Sequence, residues 1–253
     1  MSGVSEEKQK SRNLHTESTV TVICYMKSFN TDKTGVKSYS TELLARRWLT
    51  EKVFEIELTR PSSFQFTPGQ RIRFYHETMQ RDYSLLTTPS DSTLGLCLFN
   101  VQGGQFSPVL ATAEIGTKFS ITGPYGYFTY RPSERPAVFV ATGTGIAPFL
   151  SISRSGVSEF TVLHGVRTAS DLHYQDFFRC TARSYVPCLS ASQDQVETVE
   201  NGFDGRVTRY LKEYLPPSTY DFYLCGRQEM IRDVTLLVDQ KFPGSLVYTE
   251  TFF

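Results

Sequence analysis

Hydrophobic and polar residues alternate over short stretches in the first half of the chain. Val53–Leu58 and Arg71–Phe74 both contain this period-two pattern, which is typical of antiparallel strands with one face in a core. Several short strands at this spacing predict a small antiparallel β-barrel or sandwich. Pairs of turn residues separate the stretches, at Pro68-Gly69, Pro89-Ser90, Gly103-Gly104 and Gly123-Pro124.

The pattern changes after Pro136. Ala137–Ala141 is a continuous apolar run, as expected of a strand buried on both faces. Further apolar stretches then alternate with helix-like segments, which predicts an α/β domain with a doubly wound parallel sheet. The predicted strands are 160–163, 185–189, 222–224 and 246–248, and the predicted helices are 170–179, 205–215 and 227–240.

These patterns divide the chain into three parts. Residues 39–131 form the predicted β-barrel domain and residues 132–253 the α/β domain. Residues 1–38 are an N-terminal extension with a polar start. Its β-branched run at Thr19–Met26 could add a strand.

Composition excludes several function classes. The 253 residues contain 26 Lys and Arg against 26 Asp and Glu, so the chain is not a nucleic-acid-binding polycation. No apolar run reaches the roughly 20 residues that cross a bilayer, and no signal peptide is visible. The cysteines are odd in number and dispersed, which predicts a reducing, cytoplasmic setting and no metal or iron–sulfur centre of its own. They are Cys24, Cys97, Cys180, Cys188 and Cys225.

Two glycine-containing turns are candidate anion sites. Thr142–Pro148 reads T-G-T-G-I-A-P. Its glycines would allow close backbone approach to a pyrophosphate at a helix N-terminus. Pro148 replaces the third glycine of the dinucleotide fingerprint, so a plain strand–helix turn is an equal alternative. Gly103–Ser107 leads into another helix-like segment, and a plain turn is the alternative there as well.

Three other features could carry chemistry. In Arg81–Ser84, an arginine could clamp a phosphate, a tyrosine could stack on a planar cofactor and a serine could bond a ring nitrogen. The alternative is an ordinary strand. Cys225 ends a buried strand at the sheet edge where α/β folds bind ligands, although a buried inert cysteine is commoner. Glu250, two residues before Phe252, could close a cofactor pocket.

The order and spacing of these motifs resemble the ferredoxin–NADP reductase superfamily over about residues 40–253. The resemblance implies an FAD-binding antiparallel barrel followed by a nicotinamide-nucleotide domain. The motifs are R-x-Y-S at Arg81–Ser84, G-x-x-S at Gly104–Ser107, G-P-x-G at Gly123–Gly126, G-T-G-x-A-P at Gly143–Pro148 and C-G-x-x-x-M at Cys225–Met230.

The resemblance also implies residue roles. Ser84 would face flavin N5, Cys225 would lie beside nicotinamide C4, and Glu250 would help Ser84 to manage the proton at N5. Arg81 would bind the FAD pyrophosphate and Tyr83 would pack on the flavin. The other cofactor-binding candidates are Phe99, Asn100, Val101, Gly104, Gln105, Phe106 and Ser107 for FAD, Gly143, Thr144, Gly145 and Gly226 for the nicotinamide nucleotide, and Phe252 as an aromatic ring stacked on the flavin.

The implied function is that of an FAD-dependent oxidoreductase. Hydride would pass between NAD(P)H and the flavin, and single electrons between the flavin and a separate carrier such as a ferredoxin or flavodoxin. An outside carrier is implied because the chain lacks the cysteine cluster of ferredoxin-fused members. The alternatives are a free flavin or quinone reductase and a nucleotide-binding electron-transfer subunit of a larger complex.

Arginines indicate the nucleotide preference. NADP-specific members of the superfamily tend to place arginines at three sites around the 2′-phosphate, where a planar guanidinium suits phosphate. Arg167 and Arg206 match the first and third sites. The second site is a Ser-Arg pair in those members, whereas here Ser192 is followed by Gln193. The pattern favours NADPH and leaves NADH open, with surface solvation as the alternative role of each arginine. Arg46, Arg47, Arg71 and Arg73 could form a docking face for an acidic electron carrier, but solvated strand residues are the favoured interpretation.

Overall fold

The computed structural model describes residues 22–23, 37–76, 79–191 and 199–252. Its first sheet is antiparallel, with the strand order β5-β4-β7-β2-β3-β6. The 11-residue strand β2 pairs with β7 through its first half and with β3 through its second half. The strands are β2 (Ser38–Trp48), β3 (Val53–Thr59), β4 (Arg71–His76), β5 (Met79–Ser84), β6 (Thr93–Phe99) and β7 (Lys118–Tyr125), with the short helix α1 (Ser107–Thr112) before β7.

The two edges of this sheet meet and close it into a barrel. An antiparallel bridge joins Leu85, just after β5, to Leu96 on β6, and the Leu86 N–H donates to the Gly95 carbonyl at 2.8 Å. The barrel interior is apolar because alternate residues of each strand point inward. Phe54, Ile72 and Phe74 are among its fully buried side chains.

The second sheet has seven parallel strands in the order β1-β13-β12-β8-β9-β10-β11. The antiparallel barrel and the parallel sheet with helices confirm the predicted fold class. The strands are β1 (Val22–Ile23), β8 (Ala137–Thr142), β9 (Thr161–Val166), β10 (Ser184–Leu189), β11 (Phe203–Asp204), β12 (Asp221–Arg227) and β13 (Leu246–Phe252). The helices are α2 (Ala147–Arg154), α3 (Gln175–Thr181), α4 (Val207–Glu213) and α5 (Gln228–Lys241).

The parallel sheet has an apolar core on each face. On one face, α4 and α5 cover side chains such as Val140 and Leu224. On the other face, Phe139 belongs to a buried cluster that also contains side chains of α2 and α3 and the barrel-domain residues Val53 and Phe128. The barrel and the parallel sheet therefore share one hydrophobic core.

Polar contacts also cross between the two sheets. The buried Ser151 hydroxyl on α2 donates to the Thr87 carbonyl at 2.5 Å. The Tyr174 hydroxyl, just before α3, donates to the Glu55 carboxylate on β3 at 2.7 Å. Because hydrogen bonds are directional, these contacts orient the sheets that the shared core holds together.

Two predicted helices begin later than expected. The segment predicted as a helix over 170–179 contains a 3₁₀ turn at Ala169–Asp171, and α3 follows only from Gln175. Tyr174 lies between them at φ 62°, a left-handed conformation that interrupts a helix while its side chain reaches the barrel. The helix predicted from residue 205 begins at Val207, because Gly205 has φ 134°.

Phe139 is the residue on which the shared core is most easily tested. Its ring stacks on Phe149 and on Phe160, with both centroid distances at 4.7 Å. We expect Phe139→Ala to lower the free energy of unfolding by about 3–5 kcal/mol, because it removes a fully buried ring from packed neighbours. Leu236→Ala, at a side chain that is 54% exposed, should change it by less than about 0.5 kcal/mol. Urea unfolding measures both, and equal effects would contradict this packing.

Candidate functional site

The order of the parallel strands places a crevice at the carboxyl ends of β8 and β12. The chain runs from β8 outward to β11 on one side and returns to β12 and β13 on the other. Open α/β sheets bind ligands at such a reversal point. Residues 143–146 leave β8 as a 3₁₀ turn that continues into α2, and Cys225 and Gly226 end the neighbouring strand.

The two sides of this crevice are in very close contact. A Cβ atom at Gly145 would overlap the Cys225 carbonyl, and one at Gly226 would overlap the Thr142 hydroxyl. The Thr142 hydroxyl accepts a hydrogen bond from the Arg227 N–H at 2.9 Å. The structure thus brings together Gly143, Thr144 and Gly145 with Cys225 and Gly226, which the sequence places about eighty positions apart.

Cys225 is fully buried between β8 and β13. Burial raises the pKa of its thiol well above the ordinary value, and the carboxylate of Glu250 raises it further. Glu250 is its partner on β13 in the strand register. The Cys225 side chain is therefore a neutral thiol, suited to packing against a ring and not to nucleophilic attack.

On the barrel side, Ser84 ends β5 and is 3% exposed. Its Oγ has no hydrogen-bond partner in the described part of the chain, and the same holds for Asn100 Oδ1. Buried polar atoms are ordinarily paired, so both atoms fit a ligand with hydrogen-bonding groups. Tyr83, beside Ser84, is partly buried, and burial raises the pKa of its phenol.

The segment after β6 combines exposed apolar side chains with a glycine turn. Phe99 and Val101 are 48% and 50% exposed, which is unusual for side chains of this size next to a buried strand. The Val101 N–H donates to the Ser107 hydroxyl at 2.9 Å, and the Val101 carbonyl accepts from the Gly104 N–H at 2.8 Å. A flat aromatic cofactor would cover both apolar side chains.

Not every candidate in this segment has its side chain free for a ligand. Phe106 is 2% exposed and packs in the barrel core against Phe74, so it could reach a cofactor only through its backbone. Gln105 is exposed. Arg81 on β5 is also exposed, and its guanidinium donates to the adjacent Gln80 carbonyl at 2.7 Å.

A charged network that the sequence interpretation missed joins the barrel to the last strand. Arg71 donates to both carboxylate oxygens of Glu250, at 2.7 and 2.8 Å, and to Asp82 at 3.0 Å. Arg73 donates to the same Asp82 at 2.6 and 2.9 Å. The interpretation of Arg71 and Arg73 as merely solvated residues is therefore wrong. Their i, i+2 spacing on β4, opposite Asp82 on β5, was the available signal.

Burial and ion pairing act in opposite directions within this network. Burial raises the pKa of Glu250, and the Arg71 guanidinium partly offsets that rise. For Asp82, the two arginines outweigh burial and lower its pKa. A Cβ atom at Gly126 would lie 2.9 Å from Arg71 Nη1, so the last glycine of the G-P-x-G motif leaves room for the guanidinium.

Two of the three candidate nucleotide-preference residues, Arg167 and Arg206, follow β9 and β11, the strands on either side of β10. Arg167 follows β9 and Arg206 precedes α4, and both side chains are exposed. The Ala191 N–H donates to the Arg167 carbonyl, so Ala191 lies next to Arg167. Ser192 and the Phe252 side chain lie outside the described residues, although the Phe252 backbone pairs with Arg227.

Two other features are absent from the described parts of the chain. Within residues 37–76, 79–191 and 199–252, no group of three or more His, Cys, Asp or Glu side chains could hold a metal ion. No helix in these ranges is both long and apolar enough to cross a bilayer.

Two protein-family models match most of the chain. One describes an oxidoreductase FAD-binding domain and matches residues 49–130, and the other describes an oxidoreductase NAD-binding domain and matches residues 139–235. The unpartnered Ser84 hydroxyl lies in the first range and the glycine turn after β8 in the second. The chain thus contains an FAD-binding domain followed by an NAD-binding domain.

Individual proteins resemble the chain over most of its length. It is 28% identical over 237 residues to the reductase component of propane 2-monooxygenase from Mycolicibacterium goodii, covering 86% of this chain and 68% of that protein. It is 32% identical over 158 residues to ferredoxin–NADP reductase B from Sorangium cellulosum, covering 57% of this chain and 65% of that protein. The chain thus spans about two thirds of the length of these curated relatives.

A solved structure shares the fold. It is a ferredoxin–NADP reductase from Neisseria gonorrhoeae with bound FAD and NADP, and it superposes with a TM-score of 0.74 at 23% identity. The superposition covers 86% of this chain and 99% of that one.

The Arg71–Glu250 pair generates a stability prediction. Arg71→Gln would leave the Glu250 carboxylate, 8% exposed, without its cation, and should cost about 3–5 kcal/mol of unfolding free energy at pH 8. Losing the cation raises the folded-state pKa of Glu250 further above the unfolded value. The variant therefore regains stability relative to the parent protein as the pH falls through that pKa and Glu250 takes up a proton.

Urea unfolding at pH 8 and pH 5.5 measures this effect. The matched control is Arg232→Gln, which removes an exposed guanidinium paired with the neighbouring Asp233 and should be nearly neutral at both pH values. An Arg71→Gln penalty that is the same at both pH values would contradict the pairing.

Proposed function

Because the chain belongs to the ferredoxin–NADP reductase superfamily, we propose that it is an FAD-dependent oxidoreductase that transfers hydride between NAD(P)H and the flavin. One observation carries the proposal. Ser84 is the cross-strand partner of Arg71, Arg71 binds Glu250, and Glu250 is the register partner of Cys225. This series of pairings supports a site in which FAD, on the side of Ser84, and the nucleotide, on the side of Cys225, would meet.

The residues on the two sides have complementary tasks in this proposal. Bound FAD would supply a hydride acceptor at N5 that can release electrons singly. The unpartnered Ser84 hydroxyl would hydrogen-bond at N5 and hold or release a proton there. Cys225, whose thiol is neutral and fully buried, would lie beside the nicotinamide site near C4 and support it from beneath, and the narrow glycine turn would exclude water from the reacting atoms.

Glu250 would help Ser84 to hold or release the proton at flavin N5. Because both of its oxygens bind Arg71, its position would not depend on the cofactor. Arg81, Tyr83 and the segment Phe99–Ser107 would hold FAD, with Phe99 and Val101 covered by the cofactor. Phe252 would stack on the flavin when nicotinamide is absent.

We propose that NADPH is the preferred nucleotide. Arg167 and Arg206 are exposed at the carboxyl edge of the sheet, and neither forms a salt bridge with a carboxylate in the described ranges. Two unpaired guanidinium groups at this edge suit the 2′-phosphate. Ser192 would contribute a hydroxyl at the second site.

The electron acceptor would be a separate carrier such as a ferredoxin or flavodoxin, or an oxygenase component. The absence of a metal-binding cluster in the described ranges supports a carrier that these ranges do not themselves provide. The matched reductase component of propane 2-monooxygenase supports an oxygenase-type partner. The free thiols of Cys97, Cys180, Cys188 and Cys225 support a reducing compartment, the cytoplasm.

Anaerobic stopped-flow mixing with NADPH tests hydride transfer directly. The FAD-loaded protein should lose its flavin absorbance, and an unchanged spectrum would refute the proposed function. We expect Ser84→Ala to slow this bleaching about 10- to 100-fold, the effect of losing one strong hydrogen bond in the transition state. The matched control is Ser153→Ala, since Ser153 is also buried with an unpartnered hydroxyl but lies on α2; its rate should remain that of the parent protein.

The nucleotide preference has its own test. Arg167→Gln and Arg206→Gln should each raise KM for NADPH about tenfold and leave KM for NADH unchanged, because only NADPH carries the 2′-phosphate. Arg183→Gln is the matched control, since Arg183 is exposed but lies at the amino end of β10. A parent protein with a lower KM for NADH than for NADPH would reverse the preference.

A further inference from the structure

A buried histidine contacts the glycine turn after β8 and has no role in the function proposed above. His164 is in the middle of the parallel sheet on β9, and it is 0% exposed. Its Nε2 lies 3.0 Å from the Gly143 carbonyl oxygen, and its Nδ1 lies 3.2 Å from the Tyr185 hydroxyl on β10. Gly143 is the first residue of the turn to which the resemblance assigns the nicotinamide nucleotide.

The partners of His164 determine where its protons are. A carbonyl oxygen only accepts hydrogen bonds, so Nε2 must carry the hydrogen. In a neutral imidazole Nδ1 is then an acceptor, and the Tyr185 O–H donates to it. The hydrogen bonds run in one direction, from Tyr185 through His164 to Gly143.

The ring is neutral across the usual assay range. Burial lowers the pKa of His164 to about 4, and the hydrogen bond to Gly143 offsets only part of that effect. Two nearby titratable groups act in opposite directions, since His173 lowers this pKa and Asp171 raises it. The ring therefore stays neutral, with its hydrogen on Nε2, from about pH 5.5 upward.

The contact with Gly143 orients the turn. Gly143 has φ 52°, a left-handed conformation that glycine adopts without strain. The Gly143–Thr144 peptide is planar and trans, so its carbonyl and the Thr144 N–H point in opposite directions. Because the carbonyl is held toward the buried ring, the Thr144 N–H is held away from it, as a donor for an anion in the crevice.

We propose that His164, held in one tautomer by Tyr185, is a positioning residue for nicotinamide-nucleotide binding. It touches neither the nucleotide nor the flavin. It acts by keeping the Gly143–Thr144 peptide in the orientation that receives the phosphate-bearing part of the nucleotide. This inference rests on the proposed function, because it assumes that the turn binds a nicotinamide nucleotide.

Tyr185→Phe is the decisive variant, because it removes only the hydroxyl that donates to Nδ1. The dissociation constant of NADP⁺ for the FAD-loaded protein should rise about three- to tenfold. The limiting rate of flavin reduction at saturating NADPH should change less than twofold. Nitrogen-15 NMR of labelled histidine should show His164 with hydrogen on Nε2 in the parent protein and a mixture of tautomers in the variant.

His164→Gln is the second variant and separates positioning from packing. Its side-chain amide can still donate toward Gly143, so adding Tyr185→Phe to it should change the NADP⁺ dissociation constant less than twofold. Tyr220→Phe is the matched control. It removes a hydroxyl that donates to the Pro216 carbonyl at the opposite end of the sheet, and it should alter neither the dissociation constant nor the tautomer.

The outcomes distinguish the two proposals. Normal NADP⁺ binding by Tyr185→Phe, or an equal loss of binding in Tyr220→Phe, would overturn the positioning role and leave the proposed function intact. A parent protein that neither binds NADP⁺ nor is reduced by NADPH would refute both. The NMR measurement reports the tautomer in either case.

Discussion

The apolar core between the barrel and the parallel sheet is the interaction on which the site depends. Apolar burial is strong but has no direction, so it holds the two sheets together without choosing their orientation. The hydrogen bonds from Ser151 and Tyr174 and the ion pair between Arg71 and Glu250 supply that orientation. Hydride transfer is steeply sensitive to geometry, and this division of tasks explains why polar contacts accompany an otherwise apolar interface.

The charges of Arg71, Arg73, Asp82 and Glu250 cancel one another. Two arginines and two carboxylates form one connected network, while Ser84 and Cys225 are neutral. A nicotinamide ring gains a positive charge when it gives up hydride. A network without net charge favours neither form through long-range electrostatics, so these four residues do not themselves select between the two forms.

Local patterns predicted most of the fold. Period-two alternation in Val53–Leu58 and the continuous apolar run at Ala137–Ala141 are determined by which faces of a strand are buried, and both appear as strands. The order of short motifs likewise led to Ser84 and Cys225. The local spacing of Arg71 and Arg73 points only toward Asp82 and not to Glu250, which is 179 positions from Arg71, and ordinary strand residues show the same local pattern.

Contacts between residues far apart in the chain also explain where the structure differs from the other sequence predictions. Tyr174 interrupts the predicted helix because its hydroxyl reaches Glu55 on the barrel, a contact that helix propensity does not contain. Phe106 belongs to a motif that the sequence identified, yet its side chain lies in the barrel core. A motif identifies a backbone path more securely than the direction of each side chain.

The lack of room for a Cβ atom at Gly145 and Gly226 constrains the sequence of both segments that form the crevice. The segments around these glycines are far apart in the chain, but their backbones pack directly against each other. A homologue can change one segment only if the other accommodates it, so the two should co-vary during evolution. Chimeric reductases built by exchanging nucleotide-binding turns would therefore have to exchange the end of β12 as well.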